Sequence, residues 1–285
     1  MKKLMVTADD GGLSQYINHA IIEAHRYGIV TGVSVLMWHK YAEHLCSLVK
    51  HYPELDTGVH LCITQAKPIL PSQKVSTLIA DNGNFYPKTS RFLIKLVKQK
   101  ISLQQVEAEF SAQIEKALEL GLKISHIDTH QHIHLYTPVL EIVVRLAKKY
   151  NIPYVRNIDE LLTLKALPWM VMRPGFIKKL LVKVFLPGME SRLRSLGLKT
   201  NHYFIGYYRA GKINKSYLCY ALNNLKPGLT ELCVHISKKQ ENFRDMFPGS
   251  YPSYNWQQEF EAVVDPVIMD LIKSGKIFLV KRSDL

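Results

Sequence analysis

Short apolar runs separated by helix-period segments constrain this chain more than any other feature. "LMVTA" (4–8), "TGVSVLM" (31–37) and "TGVHLCIT" (57–64) are each too short for a helix and rich in β-branched residues, which marks them as strands. Between them lie "QYINHAIIEAHRYG", preceded by the capping residue Ser14, and "YAEHLCSLVKHY", both with helical spacing. Strands joined through helices pair in parallel, with the helices packed outside the sheet. The rhythm resumes after an irregular stretch from Ala66 to about Thr89. It continues with a helix over 102–120, a strand from Lys123, a helix opened by Thr137 and Pro138, and strands at 153–157, 230–237 and 277–281. About seven strands predict an α/β fold, a distorted (β/α) TIM-like barrel. An open doubly wound sheet is the alternative. No glycine-rich phosphate loop follows the first strand, where "ADDGGLS" offers two carboxylates instead.

The 285 residues are 47% hydrophobic, enough to bury a large core, and their number suits either one α/β barrel or two smaller domains; with the barrel expected, residues 1–285 are read as a single domain. Residues 160–212 break the rhythm and are expected to form an insertion or rim segment. Within them, 168–197 is apolar and carries Arg173, Lys178, Lys179 and Lys183, a pattern that suits either a plain rim insertion or peripheral membrane contact. The four cysteines form no metal-ribbon or disulfide spacing, Asp9 and Asp10 interrupt any signal-peptide core, and no window spans a bilayer. These features point to a cytoplasmic protein, membrane-associated at most. A net charge of +13 favours anionic partners, but no stretch carries a nucleic-acid motif, so nucleic acid is not expected. A homodimer is left open.

The stretch "HIDTHQHIH" (126–134) carries four of the twelve histidines and an aspartate. An extended segment places His126, Asp128, His130, His132 and His134 on one face. Such a row is costly to bury unless hydrogen-bonded, solvated or bound to a metal. At about 3.3 Å per residue its ends lie too far apart to share one ion, so further ligands must come from other strand ends. Asp9 and Asp10 after the first strand and His60 within the third supply them. In a parallel α/β fold the carboxyl ends of strands converge where active sites sit. Asp, His and His from three such ends describe a mononuclear site with an open coordination position.

"TADDGGLS", "GVHLCIT" and "HIDTHQHIH", in that order, resemble the "NADDFGLS", "GVHLNLT" and "HxDSHxHxH" motifs of the YdjC-like carbohydrate deacetylases, which include chito-oligosaccharide deacetylase. The likeness runs from Leu4 through "GLTELCVHIS". "RLRSLGLKTNHYFIGYYRAGKI" and two other stretches look most like the hopanoid-biosynthesis branch. The resemblance implies one divalent metal, Zn²⁺ or Mg²⁺ being favoured, held by Asp10, His60 and His130. It also implies Asp9 as general base and His235 of "ELCVH" as general acid. Asp128, His132 and His134 would then orient His130 or contact sugar hydroxyls, while Arg156, on the same expected face, either pairs with Asp9 or forms a surface salt bridge. Two positions depart from the motifs: Gly11 stands where the family has Phe, and Ile236 where it has Pro. The implied reaction removes the N-acetyl group from an N-acetylglucosamine unit of a glycolipid or chito-oligosaccharide. Another barrel metal hydrolase, an amidohydrolase or phosphoesterase, would use similar ligands, and a non-enzymatic anionic-surface binder is the remaining class.

Overall fold

The computed structural model describes residues 1–160, 188–240, 242–243 and 254–285. Its strands are β1 (Lys2–Gly11), β2 (Gly32–Val35), β3 (Asp56–Leu61), β4 (Ile124–Thr129), β5 (Tyr154–Val155), β6 (Tyr203–Ile205), β7 (Gly228–Val234) and β8 (Phe278–Leu279). All pair in parallel in the order β5-β4-β3-β2-β1-β7-β6, with β8 on the start of β1. The two edges of this sheet meet. Val155 N donates to Lys199 O at 3.1 Å, Lys199 N to Pro153 O at 2.8 Å, and Phe204 N to Asp159 O at 3.2 Å. The sheet therefore curls into a distorted seven-strand barrel as expected, and the open doubly wound alternative is set aside; its seventh strand is β6, inside the expected rim segment, whereas the expected C-terminal strand pairs only with the start of β1.

Strand periodicity decides what lies inside and outside. On β1, Leu4, Val6 and Ala8 join the main apolar core under the helices, while Met5, Thr7 and Asp9 turn inward. On β7, Leu232 and Val234 face the helices, and Glu231, Cys233 and His235 face in. The outer layer comprises α1 (Gln15–Tyr27), α2 (Tyr41–Val49), α3 (Thr89–Val97), α4 (Leu103–Glu119), α5 (Thr137–Lys149), α6 (Met189–Ser195), α7 (Lys215–Asn223), α8 (Trp256–Val263) and α9 (Pro266–Lys273) among the described residues. Ser14 caps α1 by accepting from Ile17 N at 3.1 Å, and Pro138 occupies the first turn of α5. Residues 161–187, which hold most of the expected rim segment and of the membrane-contact stretch 168–197, lie outside the described residues.

The inside of the barrel is polar rather than greasy. Arg282, from the turn after β8, enters it, donating to Thr7 Oγ1 at 2.7 Å and to Glu231, with its guanidinium 4.7 Å from the centre of the Tyr154 ring. Gly58 is required at the next level. A Cβ there would lie 2.4 Å from the His126 ring, which occupies the space between β2 and β4.

Candidate metal centre and active site

Consecutive strand residues normally point to opposite faces, yet Asp9 and Asp10 both reach the same cavity. A bulge in the β1–β2 register between Ala8 and Gly11 explains this, together with the left-handed Asp10 (φ 60), a conformation that aspartate tolerates better than most residues. Gly11 belongs to the same bulge. A Cβ on it would meet Val33 and Leu45 at 2.7 Å, so its departure from the family motif alters core packing and leaves the site lining alone. Ile236 is fully buried in the apolar core.

His60 and Asp128 are register partners on β3 and β4, so their side chains lie side by side inside the barrel. His60 Nδ1 pairs with Asp128 Oδ1 at 2.7 Å, which leaves Nε2 facing Asp10 Oδ1 at 3.6 Å. His130 approaches the same oxygen from the other side, with Nδ1 at 3.3 Å, while its Nε2 meets Gln65 Oε1 at 3.2 Å. Each imidazole thus has its outer nitrogen on an oxygen acceptor and its inner nitrogen on Asp10. The three inner atoms lie within 4.8 Å of one another, and all three residues are buried. This donor set fits a divalent ion. Oriented neutral imidazoles plus a carboxylate suit Zn²⁺ and tolerate harder ions.

Two other clusters come as close together: Asp9 with Cys233 and His235, and Asp9 with His60 and Asp128. Both depend on Asp9, whose two oxygens already accept from Arg156 Nη1 and Nη2 at 2.7 Å. A guanidinium at that distance repels a second cation, so Asp10, His60 and His130 are the better site.

Arg156 is wholly buried and forms no part of a surface pair. Its Nε donates to Glu231 Oε1 at 2.8 Å and its Nη2 reaches Asp128 Oδ2 at 2.5 Å, so one guanidinium ties three carboxylates together. Burial pushes the Asp9 carboxyl up, but Arg156, with smaller help from His60 and His235, holds it well below the usual carboxylate range. Burial pulls His60 down, but Asp128, Asp9 and Asp10 outweigh it and push the ring up to about 9. A proton therefore stands in for positive charge among these carboxylates, and a metal ion must displace it.

His235 follows β7. Its Nε2 lies 3.9 Å from Asp10 Oδ2, its backbone N donates to the buried Glu259 at 2.6 Å, and its ring packs edge-on against Tyr254 and Trp256. Burial, only partly offset by Asp10 and Asp9, lowers its pKa.

The extended reading of 126–134 holds only as far as Thr129. Residues His130–Leu135 form a tight 3₁₀ turn in which Gln131 (φ 56) and His132 (φ 51) are left-handed. This turn folds His130 back over Asp10 and spoils the expected row of five side chains. Asp128 orients His60 rather than His130. His134 is pinned between Thr129 Oγ1 and the Arg156 carbonyl, 3.1 Å from its Nε2, and so supports the Arg156 backbone. His132 packs on the Phe204 and Tyr207 rings, centroids 5.8 and 5.6 Å away.

Several residues went unread in the sequence. Gln65 holds His130, Ser34 donates to Asp128 Oδ2 at 2.8 Å and meets His126 Nε2 at 3.0 Å, Cys233 donates to Asp9 Oδ2 at 3.0 Å, and Glu231 anchors Arg156. Glu231, Cys233 and His235 could have been found from their spacing of two. Gln65 and Ser34 carried no comparable signal.

A family model described as YdjC-like protein matches residues 3–274. A carbohydrate deacetylase of Halalkalibacterium halodurans is 40% identical over 53% of this chain and 62% of its own length. One of Oceanobacillus iheyensis is 33% identical over 76% of this chain and 91% of its own. A crystal structure from Enterococcus faecalis V583, described as that of a cellobiose-phosphate cleavage protein, superimposes with a TM-score of 0.76 at 25% identity, covering 99% of this chain and 98% of that one. With the motifs, the barrel and a match over nearly its whole length, the chain belongs to the YdjC-like protein family.

Proposed function

We propose that this protein is a metal-dependent carbohydrate deacetylase that hydrolyses the N-acetyl group of an N-acetylglucosamine unit and releases acetate. One observation carries the reading: two oriented imidazoles converge on Asp10 while a separate carboxylate, Asp9, is held beside them by Arg156. Residues 1–285 act as one catalytic domain in this reading, since strands from both ends of the chain share one sheet.

A divalent ion held by Asp10, His60 and His130 would polarise the amide carbonyl and make a water nucleophilic near neutral pH. Asp9 serves as the base that orients this water. Its pairing with Arg156 keeps it ionised throughout the working pH range but makes it a weak resting place for a proton. His235 is the acid. Its ring, which burial lowers below the usual histidine range, lies in the Asp9–Cys233 cluster, where it can receive the proton that Asp9 takes from the water and give it to the departing nitrogen. Asp128 and Gln65 hold the two imidazoles, and Glu231 holds Arg156. His132, among Phe204 and Tyr207, presents a ring surface suited to a sugar face.

Chito-oligosaccharide is the favoured substrate, supported by the likeness to a chitooligosaccharide deacetylase of Proteus mirabilis. The glycolipid reading rests on local sequence likeness to the hopanoid branch and on 168–197. Metal-stripped and reconstituted protein offered N-acetylated chito-oligosaccharides and an N-acetylglucosaminyl lipid separates these readings. Acetate release only after reconstitution is expected. Release of ammonia or phosphate instead would assign the site to another hydrolase class.

A further inference from the structure

The segment that carries α3, after the long excursion from β3, is strongly basic. Between Asp81 and Glu107 there is no acidic residue, and Lys88, Arg91, Lys95, Lys98 and Lys100 fall within thirteen positions. Among the described residues none of these five forms an ion pair; Arg91 and Lys95 instead lie over the Tyr86 ring at 5.5 and 4.7 Å. Helix α3 is held by the fully buried Phe92, with Leu93 and Leu96 partly covered. Its opposite face carries Ile94, 57% exposed, and Val97, 81% exposed. At 100° per residue these two sit side by side, with Lys98 and Arg91 along their flank. An aliphatic centre with a basic flank is the pattern of a helix that lies in a lipid interface.

The helix also begins close to the metal centre. Gln65, which holds His130, is itself tied to the approach to α3: its backbone N donates to Tyr86 O at 3.1 Å and its Nε2 to Pro87 O at 3.2 Å. α3 starts two residues later.

We propose that α3 and its flanking lysines dock the protein on an anionic lipid bilayer, with the mouth of the barrel beside the membrane surface. The charge pattern selects this occupant. A second copy of the chain would set five cations against five, and a nucleic acid would neutralise the cations but leave Ile94 and Val97 without an apolar partner. Anionic headgroups meet the cations while the acyl boundary takes the aliphatic side chains.

Co-sedimentation with phosphatidylcholine vesicles, with and without phosphatidylglycerol, tests the proposal. Binding is expected only with phosphatidylglycerol, and should weaken as salt is raised. The double variant Lys95→Glu, Lys98→Glu should bind at least about tenfold more weakly. Ile94→Ser with Val97→Ser should lower binding while keeping its salt dependence. Both pairs are surface positions, and unchanged circular dichroism shows that the variants fold. Equal binding to both vesicle types, or full binding by the Lys95/Lys98 variant, overturns the proposal. So does equally tight binding to a DNA duplex that ignores the Ile94 and Val97 changes.

Discussion

Gln65 is held in the left-handed region (φ 64) with its side chain split between His130 and Pro87 O. Its amide oxygen accepts from His130 Nε2, which fixes the proton there and leaves Nδ1 with its lone pair toward Asp10. Asp128 does the same for His60 with a charged oxygen. The glutamine is the weaker and more exposed-loop partner of the two, so its loss is the cleaner probe of orientation. Gln65→Ala should weaken divalent-metal affinity by about 10- to 100-fold while deacetylation at saturating metal falls far less. Competition against a chelating dye measures this, and an unchanged affinity would show that His130 needs no such support.

β4 and the turn behind it hold His126, His132 and His134 as neutral rings, with His126 and His134 fully buried and His132 partly covered. Burial drives all three down, with Arg282 and Arg156 adding for His126, and Arg156 adding for His132; His134 is lowered to about 4. Between about 4 and the ordinary histidine value of about 6.5, the unfolded chain takes up protons that the folded chain refuses. Stability is therefore full above that range and falls as pH drops through it, by up to about 1.4 kcal/mol per pH unit for each ring. Asp9 and Asp10, both lowered, lose their contribution only below the normal carboxylate range. In the metal-free chain His60 acts in the opposite direction, losing stability as pH rises from about 6.5 toward 9. Urea midpoints of metal-free protein at pH 7 and pH 5 should thus differ markedly, and less so in His126→Gln. Equal midpoints would mean that these rings are protonated in place.

Across the whole molecule, the barrel was legible because short apolar runs alternate with helix-period segments, and because Ser14 and Pro138 mark helix starts. The convergence of Asp10, His60 and His130 was legible because all three sit at strand ends. The bulge at Asp10 and the turn at Gln131 and His132 were not, since positive φ at these residues follows from the packing around the site rather than from local preference. Nor was the ion network of Arg156, Glu231 and Arg282, whose members are separated by 75 and 51 residues and meet only once the barrel curls. Among the described residues no helix is long and apolar enough to cross a membrane. The proposed lipid contact is at α3, while the expected stretch 168–197 lies mostly outside those residues.

The central claim is that strand ends fifty and seventy residues apart grip one cation, and metal stoichiometry tests it most directly. Metal-free wild type, His60→Ala and His130→Ala are each reconstituted with Zn²⁺, desalted and analysed for bound metal, with folding checked by circular dichroism. The expected result is about one ion per wild-type chain and almost none in either folded variant. Full occupancy in both variants would contradict it.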